Sequence, residues 1–420
     1  GSLLVRSFGV SYANADIESP TVSVSLVNVA ISATEANASG IYSAYIDSTG
    51  SALGIKAGLI SVDTRYNTKA IAKVCPGGGV SAAISLTSLT VNSAKANATT
   101  NANAYFEGSG AIESYSTIVV TVDGTGIADA EAKLAEVSVS GVDLAANVTK
   151  ATFSVDQKAY FNVSGTATAA GNIRIDAHFD ADTSGGANAS TGSPSGASIS
   201  LAEGSVNSST AVAKLKSSAY ITGGGTISGA DIKAEATSIT RADAYASSTL
   251  AVTFATLGSL YVNAYTRDEV TAYVGDNTTL IATGDIVVNA NGDTNTDATC
   301  ETPGSVTLAN VSGARVGSSV GLNTSFRQKV LAYVGDSSTL SADGNVSITA
   351  YNEGKSTSKI LKGVNVSGLS ISTCIVKTNG FYYTMARVGE NSQITAGGDI
   401  TITAEDYPDA YTLVKATNVG

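Results

Sequence analysis

A segment of Ala, then Tyr, then an apolar residue returns along this chain at near-constant spacing, and that return limits the fold more than any other feature. The copies are Ala44-Tyr45-Ile46, Ala104-Tyr105-Phe106, Ala159-Tyr160-Phe161, Ala219-Tyr220-Ile221, Ala272-Tyr273-Val274, Ala332-Tyr333-Val334 and Ala386-Arg387-Val388. In four of them a Gly-Asn or Gly-Asp pair follows eleven residues after the Tyr or Arg: Gly171-Asn172, Gly284-Asp285, Gly344-Asn345 and Gly398-Asp399. An alternating apolar run comes next, as in Ile173, Ile175, Ala177 or Val346, Ile348, Ala350. Self-similarity of this kind is the mark of a repeat architecture, in which each unit buries its apolar face against its neighbours.

The spacing has two levels. From position 45 the steps are 60, 55, 60, 53, 60 and 54 residues, and neighbouring steps sum to 113–115, so repeats of 53–60 residues pair into units of about 114. The extra residues of the long copies are expected where Cys75-Pro76-Gly77-Gly78-Gly79, Ser193-Pro194-Ser195-Gly196 and Thr302-Pro303-Gly304 supply turn chemistry.

Direction follows from the period of two. In Ile173-Arg174-Ile175-Asp176-Ala177 and Ile232-Lys233-Ala234-Glu235-Ala236 the apolar residues share one face and the charged ones the other. Gly-Asp and Gly-Asn pairs mark turns, because Gly and Asn tolerate positive φ. With Val, Ile and Ala facing in and Ser, Thr, Asn and Asp facing out, the pattern predicts an all-β parallel β-helix over 1–420 rather than a propeller. The preferred partition gives each repeat two coils of about 28 residues and a rise of ~9.6 Å; three coils of about 19 are the alternative.

Two stretches carry a resemblance. Leu340-Ser341-Ala342-Asp343-Gly344-Asn345-Val346-Ser347-Ile348-Thr349-Ala350 and Thr395-Ala396-Gly397-Gly398-Asp399-Ile400-Thr401-Ile402-Thr403-Ala404 look like the repeats of filamentous haemagglutinin-type exoproteins. With Tyr-Val-Gly-Asp at 273–276 and 333–336, the chain is similar to large filamentous adhesins of the leukotoxin-like group over residues 20–420. The resemblance implies a right-handed parallel β-helix, exported to the bacterial cell surface, often by two-partner secretion, and acting as a filament or adhesin.

Composition narrows the partners. Charged residues are 14% of the chain and the net charge is −11, which argues against binding nucleic acid through a basic surface. No apolar run reaches the length of a membrane-spanning helix, and residues 1–7 do not read as a signal peptide. Cys75, Cys300 and Cys374 lie far apart without metal-ligand spacing. The final Lys415-Ala416-Thr417-Asn418-Val419-Gly420 aligns with Lys362-Gly363-Val364-Asn365-Val366-Ser367-Gly368, so the chain is expected to continue or to stack on itself along the solenoid axis.

Two features invite a functional reading. Arg174, Asp176, His178, Asp180 and Asp182 alternate on one strand and share its outer face; such oxygens could hold Ca²⁺, although a solvated strand end is the simpler account. The column Tyr45, Tyr105, Tyr160, Tyr220, Tyr273 and Tyr333, with Arg387 in the seventh place, is expected outside or at a corner, since an interior would not accept an unpaired Arg. It either shields neighbouring coils or offers a stripe to a host protein, a carbohydrate or a second filament. Asn-x-Ser/Thr sequons such as Asn37, Asn97 and Asn147 suit a chain this rich in those residues and do not by themselves indicate glycosylation. No catalytic, cofactor or metal residue is assigned. A structural filament segment is the leading expectation, ahead of an adhesive module and a β-helix polysaccharide lyase or hydrolase.

Overall fold

The structure, a computed structural model, describes residues 1–18, 22–50, 54–74, 80–132, 135–181, 186–191, 197–248, 250–302, 305–320 and 328–419. It is a parallel β-solenoid. In the first five coils a first strand, interrupted once in the fourth, precedes a much longer second strand and a short third strand. The first coil comprises Leu3–Ile17, Val22–Ser48 and Ile55–Ala57; the second comprises Ile60–Val74, Val80–Gly108 and Ile112–Ser114. The stacking continues to Ile400–Val419, which opens an eighth coil. The short strands form a sheet of seven on their own, and the long ones are joined in a sheet of seventeen.

The register corrects the expected partition. Tyr105 pairs directly with Tyr160, and Ile118 with Ile173, so each repeat is one coil rather than two. The rise per repeat is therefore ~4.8 Å, half of that expected. Local alternation is blind to this, because it reports which residues share a face and not how far along the chain the next strand lies. Second strands such as Val80–Gly108, of 29 residues, also far exceed the usual strand length of about 5–6.

The two long strands of a coil face each other across a thin interior. Thr64 Oγ1 donates to the Asn103 carbonyl at 2.7 Å, and Ser217 Oγ to the Ala177 carbonyl at 3.1 Å. Alanine fills much of the space between them, as at Ala70, Ala104, Ala159 and Ala272, with Phe106, Phe153, Phe161 and Phe179 as the largest buried side chains. Inward Ile173, Ile175 and Ala177 alternate with outward Arg174, Asp176 and His178, as the sequence predicts.

Two further expectations change. Most of the extra residues of two long copies fall elsewhere than at the prolines. Phe179 pairs with Gly124 (55 residues apart) but Gly186 with Ile127 (59 apart), placing four extra residues between Asp180 and Gly186. Likewise Thr266 pairs with Val320 (54 apart) and Glu269 with Lys329 (60 apart). The Pro-Gly stretches at 75–79, 193–196 and 303–304, and Cys75 and Asp182, lie outside the described residues. The second change concerns polarity: in the first part of each second strand Ser138, Ser140, Ser198 and Ser200 are buried while Val139 and Ile199 are exposed, the reverse of the expected arrangement.

The repeated motifs are turns that stack. The backbone N–H of Asp285 donates to Asp231 Oδ1 at 3.0 Å, that of Asn345 to Asp285 Oδ1 at 2.7 Å, and that of Asp399 to Asn345 Oδ1 at 2.8 Å. In the Tyr-Val-Gly-Asp turn, Asp336 N–H donates to Asp276 Oδ1 and Glu390 N–H to Asp336 Oδ1, each at 2.8 Å. The next residues, Asn277, Ser337 and Asn391, take φ of 56°, the left-handed conformation such a turn requires.

Candidate functional site

Coil-on-coil registration gathers polar side chains on the outer face of the first strands. Asp63, Thr121, Asp176 and Glu235 form one column, and Arg65, Asp123, His178 and Thr237 the next. With Arg174 and Val122 they line an open groove of about 430 Å³ spanning four coils. Of the five residues singled out on the strand from 174 to 182, the groove contains Arg174, Asp176 and His178. Asp180 follows on the same outer face, outside the groove lining.

Two of the acids in this groove are engaged locally. Arg65 Nε lies 3.2 Å from Asp63 Oδ2, and Thr121 Oγ1 donates to Asp63 Oδ1 at 3.1 Å. Arg174 forms an ion pair with Asp176 two residues along the same strand. Burial pushes the Asp176 carboxyl above the usual carboxylate range, while the Arg174 charge opposes that shift. Each of these two carboxylates thus has its own guanidinium. A groove built this way can accept a polar or charged ligand. Among the described residues, no three His, Cys, Asp or Glu side chains converge closely enough to hold a metal ion.

The tyrosine column stands on the outside, as expected. Its rings stack face to face with centroids 4.6–5.0 Å apart and planes within 10° of parallel, from Tyr45 to Tyr333. The spacing is the coil rise, so stacking is imposed by the ladder and rewards it. Tyr160 also donates its hydroxyl to Glu107 Oε1 at 3.1 Å. Burial between neighbouring rings is the main reason the Tyr220 hydroxyl is pushed up to about 12. At the seventh place the Arg387 guanidinium reaches Asp336 at 3.5 Å.

Asparagines stack as well. Asn97 Nδ2 donates to Asn37 Oδ1 at 2.7 Å, and Asn92, Asn147 and Asn207 form a chain of side-chain bonds with links of 2.9 and 2.7 Å. Cys300 is buried and Cys374 exposed. Sequence reasoning missed the groove partners Asp63, Arg65, Asp123 and Glu235, whose only signal is their place one or two coils from residues 174–178. Comparisons with protein-family models, curated proteins and solved structures find no match to this chain.

Proposed function

We propose that this chain is a non-catalytic structural section of an extracellular bacterial surface filament or filamentous adhesin. One observation carries the reading: the Gly-Asx, Tyr-Val-Gly-Asp and tyrosine positions that recur from repeat to repeat bind coil to coil. The Gly-Asx pairs and the Tyr-Val-Gly-Asp turns form inter-coil hydrogen bonds, and the tyrosines stack. A repeat that spends its recurring residues on stacking is suited to spanning distance. The partners that follow are neighbouring solenoid sections along the axis.

Aligned fibres of the native protein should give a meridional reflection near 4.8 Å, and single particles should be rods of uniform width. Globular particles without that reflection would refute the filament. A panel of neutral and acidic polysaccharides should release no reducing or unsaturated ends. Turnover lost on Asp176→Ala would instead establish the lyase or hydrolase reading. The tyrosine stack favours adhesion as a second reading, since a strip of ring faces suits the apolar face of a sugar or a host protein. Glycan or receptor binding abolished by Tyr105→Ser and Tyr273→Ser would support it; binding that survived both changes would remove it.

A further inference from the structure

Near the start of the second strand the chain doubles back in successive coils. Ser138 donates to Asp143, Ser198 to Glu203, and Thr253 and Thr256 share a hydrogen bond of 2.6 Å. Side chains five residues apart on a straight strand would be separated by roughly 17 Å, so the strand must bend between them. The inter-coil register skips one residue at the bend in each coil: Leu86, Gly141, Leu201 and Phe254. Stacked bends make a narrow ridge running along the solenoid.

The ridge is polar within and apolar without. Its inner column includes Ser85, Ser140, Ser200, Thr253 and Thr307. The Ser85, Ser140, Ser200 and Thr307 hydroxyls are buried without a hydrogen-bond partner. On the outside, Ile84, Val139, Ile199, Val252 and Val306 form one unbroken column, each 46–58% exposed. Leu201 and Phe254 at the apex are 70% and 61% exposed, and Leu144 and Leu257 on the other flank are 44% and 64% exposed. Such burial contributes little from inside, because each unpartnered hydroxyl costs about 1–3 kcal/mol. The apolar surface is on the side where the solenoid cannot cover it.

We propose that this ridge is a lateral docking surface for a second copy of the chain, with two solenoids side by side and their ridges in contact. Three features select that occupant. About twenty large apolar side chains at on the order of 60 Å² each, with one flank and the apex engaged at a time, supply ~800 Å², the area one partner gives to a stable complex. No Lys or Arg occurs in 84–91, 139–146, 199–206 or 252–259, and the only acids there, Asp143 and Glu203, are buried inside the bend. In a chain of net charge −11, this uncharged strip is where two copies approach without repulsion, whereas an anionic lipid surface finds no basic residue to hold it. The columns also repeat at the coil rise of ~4.8 Å, so an identical ladder interdigitates with them at every coil. The contact is the same patch on both copies and closes at two, unlike growth along the axis. It does not depend on the filament reading.

Sedimentation of the chain from low to high micromolar concentration tests it. Wild type should pass from the 42.0 kDa chain mass to twice that value and stop there. Leu201→Asp with Leu257→Asp should weaken the association ~100-fold or more. Because both side chains are exposed, the unfolding temperature should hold, and Leu201→Ser with Leu257→Ser serves if the aspartates disturb folding. Lys233→Ser, on the outer face of a first strand, should leave the dimer intact. A wild type that stays at 42.0 kDa, or a dimer indifferent to both double variants, would overturn the proposal. So would a monomer that floats with neutral phosphatidylcholine vesicles and loses that binding in the double variants, since the occupant would then be lipid.

Discussion

The backbone N–H of Asn345 donates to Asp285 Oδ1 of the preceding coil at 2.7 Å, and a Cβ placed on Gly344 would collide with that same oxygen. The Gly-Asx pair is therefore one device: the glycine clears room for the carboxylate that the following N–H binds. Gly344→Ala should displace the Asp285 side chain and cost about 1.5–3 kcal/mol, the value of a charge-assisted hydrogen bond. Asp285→Ala should cost a similar amount and should remove the collision with the carboxylate, leaving only the tight approach to the Gly284 carbonyl oxygen at 2.9 Å, so the double variant should be less damaging than the sum of the two. Denaturant unfolding of the four proteins gives the cycle, and strict additivity would contradict the shared device.

The first strands should show their register directly. Ile175→Asp places a charge in the closed core and should destabilise by more than about 3 kcal/mol. Lys233→Ser, on the outer face one coil along, should stay within about 0.5 kcal/mol. Similar losses at both positions in thermal unfolding would remove the inside and outside assigned to these strands.

This contrast marks how much was legible beforehand. Alternation in Ile173-Arg174-Ile175-Asp176-Ala177 fixed which residues share a face, and strong charges told which face was outside. Ser198-Ile199-Ser200-Leu201 alternates as cleanly, yet there the serines are inside, because no charge marks the wet side and the bend turns the strand over. Coil number was hidden for another reason: the partner of Tyr105 is Tyr160, and no local pattern states that distance. Likewise the outward Arg174, Asp176 and His178 were visible on one strand, while Asp63 and Glu235 joined them only through stacking.

Arg387 interrupts the tyrosine stack above Tyr333, holding Asp336 at 3.5 Å in an exposed ion pair. Such a pair contributes about 0–1 kcal/mol, and an added ring stack about 0.5–1.5 kcal/mol. Arg387→Tyr should therefore be neutral to mildly stabilising and should strengthen the near-ultraviolet dichroism of the coupled rings. Tyr220→Ser breaks two stacks, to Tyr160 and Tyr273, and should destabilise. A clear loss of stability in Arg387→Tyr would show that the ion pair outweighs the ring.

The last expectation concerns pH. Asp268 lies in the second strand Leu250–Val274, 1% exposed, with Ser238 Oγ donating to its Oδ2 at 3.2 Å and no partner at Oδ1. Burial pushes its carboxyl up to about 7; hydrogen bonds from Ser238 and Thr240 and the Leu215 backbone oppose the shift, and the Asp293 charge adds to it. The unfolded value is near 3.9. Between those values the folded chain holds a proton that the unfolded chain has released, so stability is full below about pH 4 and falls as pH rises toward 7. The loss from this group is on the order of 4 kcal/mol and levels off above pH 7. Asp243, raised to about 6 by burial and then by Asp297, contributes with the same sign. Unfolding followed at pH 5 and pH 8 should show the wild type weaker at pH 8. Asp268→Asn, which keeps the shape and loses the proton, should remove most of that difference and leave the smaller slope from Asp243. A wild type as stable at pH 8 as at pH 5 would mean that Asp268 ionises without cost, and that the interior around it admits water.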